Sequence, residues 1–270
     1  IDLDSNLITT IQFDLNKSLK TKNIIYNVEG DIGRLKFKID KESSIKTFLP
    51  SFNNNIIIKP AKINFSSNPK EENFKLEGNI NFGQKFEKVK IHVIRNKANN
   101  KSTYKVSSSL TESFINIEKL NYKKKVGKKA QIDFDVNIVP DEYFLLKSLF
   151  YSDSKSQISL NKIKFNKDLE IINLNNLKVK TYSKNIVNND YTIKKSKDIV
   201  VNGKVLDIQP LFKSMFKNTS RKTFSNKFNA ALKINIKKTI TGTGDNVSGL
   251  SIIANLKDGA FNKLSLKGNF

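Results

Sequence analysis

Few residues in this chain are of types that carry out chemistry, and their spacing excludes most reactions. Cysteine is absent, which removes disulfides, thiol nucleophiles and every Cys-based zinc or iron–sulfur site. His92 is the single histidine, so a two-His metal site is excluded and a nucleophilic triad would depend on that one ring. It stands between Ile91 and Val93 in an alternating segment, on the opposite face from both, and reads as a surface residue. Asp133 and Asp135 are two apart on the polar side of a strand pattern, where a solvated outer face is the simpler role than acid–base work. Asp2, Asp4 and Asn6 imitate the start of a calcium loop, but Leu7 replaces the needed glycine and Phe13 the closing glutamate. Gly242, Gly244 and Gly249 are misspaced for a dinucleotide fingerprint and read as a turn. The expectation is a protein that is not an enzyme, with no metal and no cofactor.

Charge points elsewhere. There are 48 Lys+Arg against 25 Asp+Glu, a formal net charge of +23. Such an excess suggests polyanions, yet only Arg34, Arg95 and Arg221 are arginine, and base-edge or bidentate phosphate recognition favours arginine. Joint abundance of Lys, Asn and Ile fits compositional drift, so nucleic acid is not an expected partner. The densest cluster, Lys123, Lys124, Lys125, Lys128 and Lys129 around Gly127, reads as a solvated turn with attraction to anionic lipid second.

The elements that would position these groups are strands. Phe74, Leu76, Gly78, Ile80 and Phe82 alternate with Lys75, Glu77, Asn79 and Asn81. Ile132, Phe134, Val136 and Ile138 alternate with polar residues, as do Phe228, Ala230, Leu232, Ile234 and Ile236, giving half-buried strands of unusual length. Shorter candidates are Leu35–Ile39, Ala61–Phe65, Val89–Val93, Ser156–Phe165, Leu177–Tyr182, Ile199–Val205 and Leu250–Leu256. Short polar connections predict an all-β, mainly antiparallel protein without crossover helices. Two short helices are expected. One follows Pro140, from Asp141 through Tyr143, Phe144, Leu145, Leu146, Leu149 and Phe150. The other runs from Asp207, a capping residue, through Pro210 to Phe216. Lys217–Lys227 and Thr239–Ser248 read as loops.

Three blocks carry a resemblance. They are Leu110–Val136, with Tyr122, Lys123 and a Lys-x-x-Gly turn; the segment DIVVNGKVLDIQPLFKSMF, with Gly203, Asp207, Pro210 and Leu211; and the C-terminal LKDGAFNKLSLKGNF, with Gly259, Leu264, Leu266 and Gly268. Together they resemble the AsmA-like superfamily of bacterial envelope proteins, specifically its very large YhdP-type members. The blocks begin near residue 107, while residues 1–106 add generic β alternation, and the whole reads as one elongated segment of a longer protein. The resemblance implies a curved, elongated sheet with an apolar trough, a periplasmic location tethered to the inner membrane through a segment outside this chain, and phospholipid movement between inner and outer membranes. Long strands with one apolar face need a cover, which acyl chains would supply, or which the apolar faces of an ordinary sandwich or roll would supply for each other. Candidate contacts are Phe74, Leu76, Ile80, Phe82, Ile132, Phe134, Val136, Ile138, Leu232, Ile234 and Ile236. The alternatives are an outer-membrane β-barrel, disfavoured by the lack of Trp for aromatic girdles, or a basic surface-binding β-module.

Overall fold

In the computed structural model, residues 2–39, 44–81, 83, 85–166, 171–210, 213, 229–242, 246–257 and 260–269 are described. The strands are β1 (Asp2–Leu15), β2 (Thr21–Lys38), β3 (Asn55–Ser67), β4 (Glu71–Asn81), β5 (Phe86–Asn96), β6 (Ser102–Ser109), β7 (Ile115–Ile117), β8 (Tyr122–Lys124) and β9 (Ala130–Val139). They continue as β10 (Tyr143–Asp153), β11 (Gln157–Phe165), β12 (Ile171–Ser183), β13 (Ile186–Lys195), β14 (Ile199–Asp207), β15 (Ala230–Ile240), β16 (Asn246–Lys257) and β17 (Ala260–Asn269). Fifteen of them form one sheet in chain order, with only the β7–β8 hairpin set aside. The sheet is curved and does not close, so β1 and β17 stand at its two edges.

Sequential antiparallel pairing follows from the short connections. Asn16, Asn68 and Asn96 fold three of them, each side-chain carbonyl accepting backbone N–H groups of its own turn, the local bonding that favours Asn in turns. One pair departs from the expected rule: β14 and β15 run parallel. A parallel neighbour requires the chain to return to the opposite end of the sheet between Asp207 and Ala230.

The helix expected after Pro140 is a correction. Tyr143–Asp153 is strand β10, paired on both sides with β9 and β11. A bulge at Lys147 separates the pair Leu146↔Val136 from Ser148↔Asp135. Phe144 and Leu146 therefore share a face with Leu149 and Tyr151. The extra residue breaks the period of two and produces spacings that imitate a helix. In the second expected helix, Gln209, Pro210 and Lys213 are helical, and the Asp207 carboxylate accepts the Gln209 N–H at 3.0 Å, as a cap does. Leu211, Phe212 and 214–216 lie outside the described residues, as do 217–227. Elsewhere two single 3-10 turns, Ser44–Thr47 and Glu118–Leu120, supply helical structure. The expected loop at Thr239–Ser248 is narrower, since β15 extends to Ile240 and β16 starts at Asn246.

Candidate functional site

Following the register from strand to strand places one residue of each on a common line. That line is Leu7, Gly30, Ile63, Leu76, Ile91, Val106, Phe134, Leu149, Leu160, Leu177, Ile193, Val201, Ile234, Ile252 and Leu266. No member is polar. Fourteen inter-strand steps of about 4.8 Å make it roughly 65–70 Å long. Gly30 is the one member without a side chain, and its φ is +151°. A Cβ there would lie 2.1 Å from the Asn6 carbonyl oxygen, so the close approach of β1 requires glycine.

Two mainly apolar rows flank this central one, interrupted by Lys195 above and Ser108 below. The upper row includes Val28, Phe65, Phe74, Val93, Val136, Leu146, Ile163, Leu174, Leu232 and Leu264. The lower row includes Ile32, Ala61, Gly78, Val89, Ile132, Tyr151, Val179, Tyr191 and Ile236. All the expected contact residues that are described fall on this face: Leu76, Phe134 and Ile234 on the central row; Phe74, Val136 and Leu232 above it; Ile132, Ile236 and Ile80 below it; and Ile138 at its upper limit. Phe82 lies outside the described residues. The sequence patterns missed β1, whose Leu3, Leu7, Ile11 and Phe13 extend the same face to the sheet edge with large exposed surfaces.

The lower margin of the apolar face is closed by the connection between β6 and β9. Its Tyr122 hydroxyl donates to Asp153 and accepts from Tyr151. The Leu120 carbonyl accepts from Asn188 and Asn189 at 2.9 and 2.8 Å, and Asn121 donates to Asp207 at 2.9 Å. Tyr122 and Asp207, from two of the resembling blocks, thus belong to one assembly. Glu87, 2% exposed, accepts from Ser109 Oγ, Thr111 N–H and Ser113 Oγ at 2.8, 3.1 and 2.9 Å. Lys124 corrects the expected solvated turn. It too is 2% exposed, and its Nζ donates to the carbonyls of Leu110, Thr111 and Ser113. Burial pulls its ammonium below the ordinary lysine value, and the carboxylates of Glu87, Glu112 and Asp153 oppose that shift. The other lysines of the cluster are exposed around Gly127, whose φ is +79°.

Burial varies along all three rows: Val136, Ile163 and Leu174 of the upper row and Leu76 and Val201 of the central row are buried. Most of the lower row is buried, with Val89 and Val179 at 2% exposure, while Gly78 and Ile132 are half-buried. On the central row Ile63, Ile91, Val106, Phe134, Leu149, Leu160, Leu177, Ile193, Ile234 and Ile252 are only half-buried. At the far edge Leu264 and Leu266 are exposed.

The opposite face is polar. The line beside the central row reads Asn6, Asp31, Lys62, Glu77, Lys90, Ser107, Asp133, Phe150, Ser159, Lys178, Thr192, Asn202, Asn235, Ser251 and Lys267. A groove of about 880 Å³ crosses it over β1–β6, β9 and β10, lined by Glu29, Asp31, Glu77, Asp133 and Asp135 against Lys62, Lys75, Lys90 and Lys105. That mixture gives a polyanion no net attraction. His92 lies in this groove, its ring 3.0 Å from Asn73 Oδ1, and its pKa is lowered by burial and by Lys75 and Lys105. Asp133 accepts from Gln131 at 2.8 Å, and Asp135 lies 3.6 Å from Lys147. Neither carboxylate meets a nucleophile. Among the described residues no cluster of three or more His, Asp or Glu is arranged to hold a metal ion, and no helix is long and apolar enough to cross a membrane.

No family model, curated protein or solved structure matches this chain.

Proposed function

We propose that this chain is a non-enzymatic segment of an AsmA-like envelope protein, whose apolar sheet face carries phospholipid acyl chains across the periplasm between inner and outer membranes. One observation carries the reading: an unbroken row without a polar side chain crosses all fifteen strands of the sheet, and most of its members are only half-buried. A closed core would bury those side chains against a second layer. A site for one small ligand would be local. A path that keeps its chemistry from strand to strand suits a long-chain lipid that slides without meeting a polar barrier. The open sheet argues against an outer-membrane barrel, which needs its edges joined, and the balanced charges of the polar groove argue against a basic surface-binding module.

Photo-reactive residues placed at half-buried Phe134 or Ile234 are expected to capture phospholipid from membranes, and one at Asp135 is not. Raising salt should weaken nonspecific headgroup capture by lysines and leave the inward capture intact. Inward probes that link only to other inward residues would reject the reading.

A further inference from the structure

The upper limit of the apolar face changes character over β2–β6, and again at Lys195 of β13, which stands between Leu174 and Ile199. Next above Val28, Phe65, Phe74, Val93 and Tyr104, the register aligns Tyr26, Ser67, Glu72, Arg95 and Ser102 before returning to apolar Ile138 and Phe144. Arg95, one of only three arginines in the chain, therefore points to the same side as the trough. Lys97 joins it there. Its Nζ donates to Ser67 Oγ at 2.8 Å and lies 3.7 Å from Glu72 Oε1, while Arg95 Nη1 lies 3.6 Å from Glu72 Oε2 and Nη2 is 3.3 Å from Asn100 Oδ1. The two turns that carry these groups are tied together by the Lys97 N–H on the Lys70 carbonyl, at 2.9 Å.

We propose that Arg95 and Lys97 form a binding site for the phosphate of a phospholipid headgroup, with the lipid's acyl chains directed down the apolar face toward the closed lower margin. This rests on the lipid-carrying reading above and adds an orientation and a headgroup class to it. Two cations share one carboxylate, so the cluster keeps a net positive charge, and both remain accessible with side-chain exposures of 51% and 34%. Glu72 and Ser67 hold the pair in position without neutralising it. An arginine fork beside a lysine point charge suits a phosphate diester. Successive rows are two residues, about 6.6 Å, apart along a strand. A phosphate at Arg95 would therefore begin its acyl chains at the Phe74 and Val93 level, at the point where the wall becomes apolar. At the lower margin Lys124 is instead buried, and its donors are taken by three carbonyls.

The test compares two lipids with identical chains, dioleoylphosphatidylglycerol and dioleoylglycerol, by native mass spectrometry and by competition against a fluorescent fatty acyl probe. The unmodified protein is expected to prefer the phospholipid by roughly tenfold, corresponding to the loss of about 1.4 kcal/mol of phosphate contact in the diglyceride. Arg95→Gln with Lys97→Gln should abolish that preference and leave diglyceride binding and the thermal melt unchanged. Lys97→Arg should retain it, as should Lys75→Gln with Lys105→Gln, which removes the same charge from the polar face. Persistence of the preference in the Arg95/Lys97 variant would overturn the site, as would displacement of phospholipid by millimolar inorganic phosphate. Binding of neither lipid by the unmodified protein would overturn the lipid-carrying reading and the site with it.

Discussion

The two margins of the apolar face lie at opposite ends of the strands of one sheet and solve opposite problems. At the lower margin, charged and polar groups are taken out of water. Glu87, Lys124, Tyr122, Asp153, Asn189 and Asp207 satisfy one another or the backbone of the β6–β9 connection. At the upper margin, Glu72, Arg95 and Lys97 pair loosely and stay wet. Buried polar groups are costly to leave unmatched, whereas exposed ion pairs contribute little. The difference makes the lower margin a structural seam and leaves the upper margin solvated.

The sharpest way to break this comparison is to remove one carboxylate from each side. Glu87→Ala strips three donors of their acceptor inside the protein and takes a nearby negative charge from buried Lys124, so a loss of about 3 kcal/mol or more is expected. Glu72→Ala should cost less than about 1 kcal/mol, because its partners are solvated. Urea denaturation of both variants measures the contrast, and equal losses would show that the margins do not differ.

A smaller effect sharpens the contrast through pH. Burial pushes the Tyr191 hydroxyl, on the lower apolar row, up to about 12. With the ordinary value at 10.0, the unfolded chain gives up this proton first. The contribution of Tyr191 to stability is therefore complete below pH 10 and declines as pH rises from 10 toward 12, by about 2 to 3 kcal/mol. Tyr122 and Tyr151, also raised by burial, act in the same direction, and lowered Lys124 acts against it. The difference between the unmodified protein and Tyr191→Phe isolates the one hydroxyl. Denaturation at pH 9 and pH 11.5 should show the variant losing less.

The smallest contrast uses asparagines. Asn121→Gly removes the bond to Asp207 and keeps the left-handed backbone at φ +48° accessible, and should lower stability by about 1 kcal/mol. Asn100→Gly, at φ +50° and with only an exposed 3.3 Å contact to Arg95 to lose, should leave the melting temperature unchanged. A reversed order would place the structural seam at the wrong margin.

Much of the face was legible in local pattern. Strict alternation in β4, β9 and β15 put Leu76, Phe134 and Ile234 on the apolar side, because side chains of an extended chain alternate whatever its partners are. It failed where a bulge added a residue: Lys147 shifted the phase of β10, and the result resembled a helix. It also failed for β1, where Ser5 and Thr9 dilute the apolar face at the sheet edge. The lysine cluster misled for another reason. A sequence does not distinguish Lys124 from Lys123, which lie on opposite sides of the same short strand.

By itself, then, the sequence determined that the protein is built of long strands with one apolar and one polar face, since that property depends on side-chain order within each strand. The joining of fifteen such strands with their apolar rows aligned was decided by the tertiary structure. Row continuity depends on register between strands, and a one-residue slip would set an apolar residue beside a polar one. The closed margin was likewise a tertiary outcome. Asn121 and Asp207 are 86 residues apart, and their hydrogen bond requires the chain to fold the whole region between β6 and β14. Arg95 and Lys97 gained their place above the apolar wall in the same way, through the pairing of β3, β4, β5 and β6 around them.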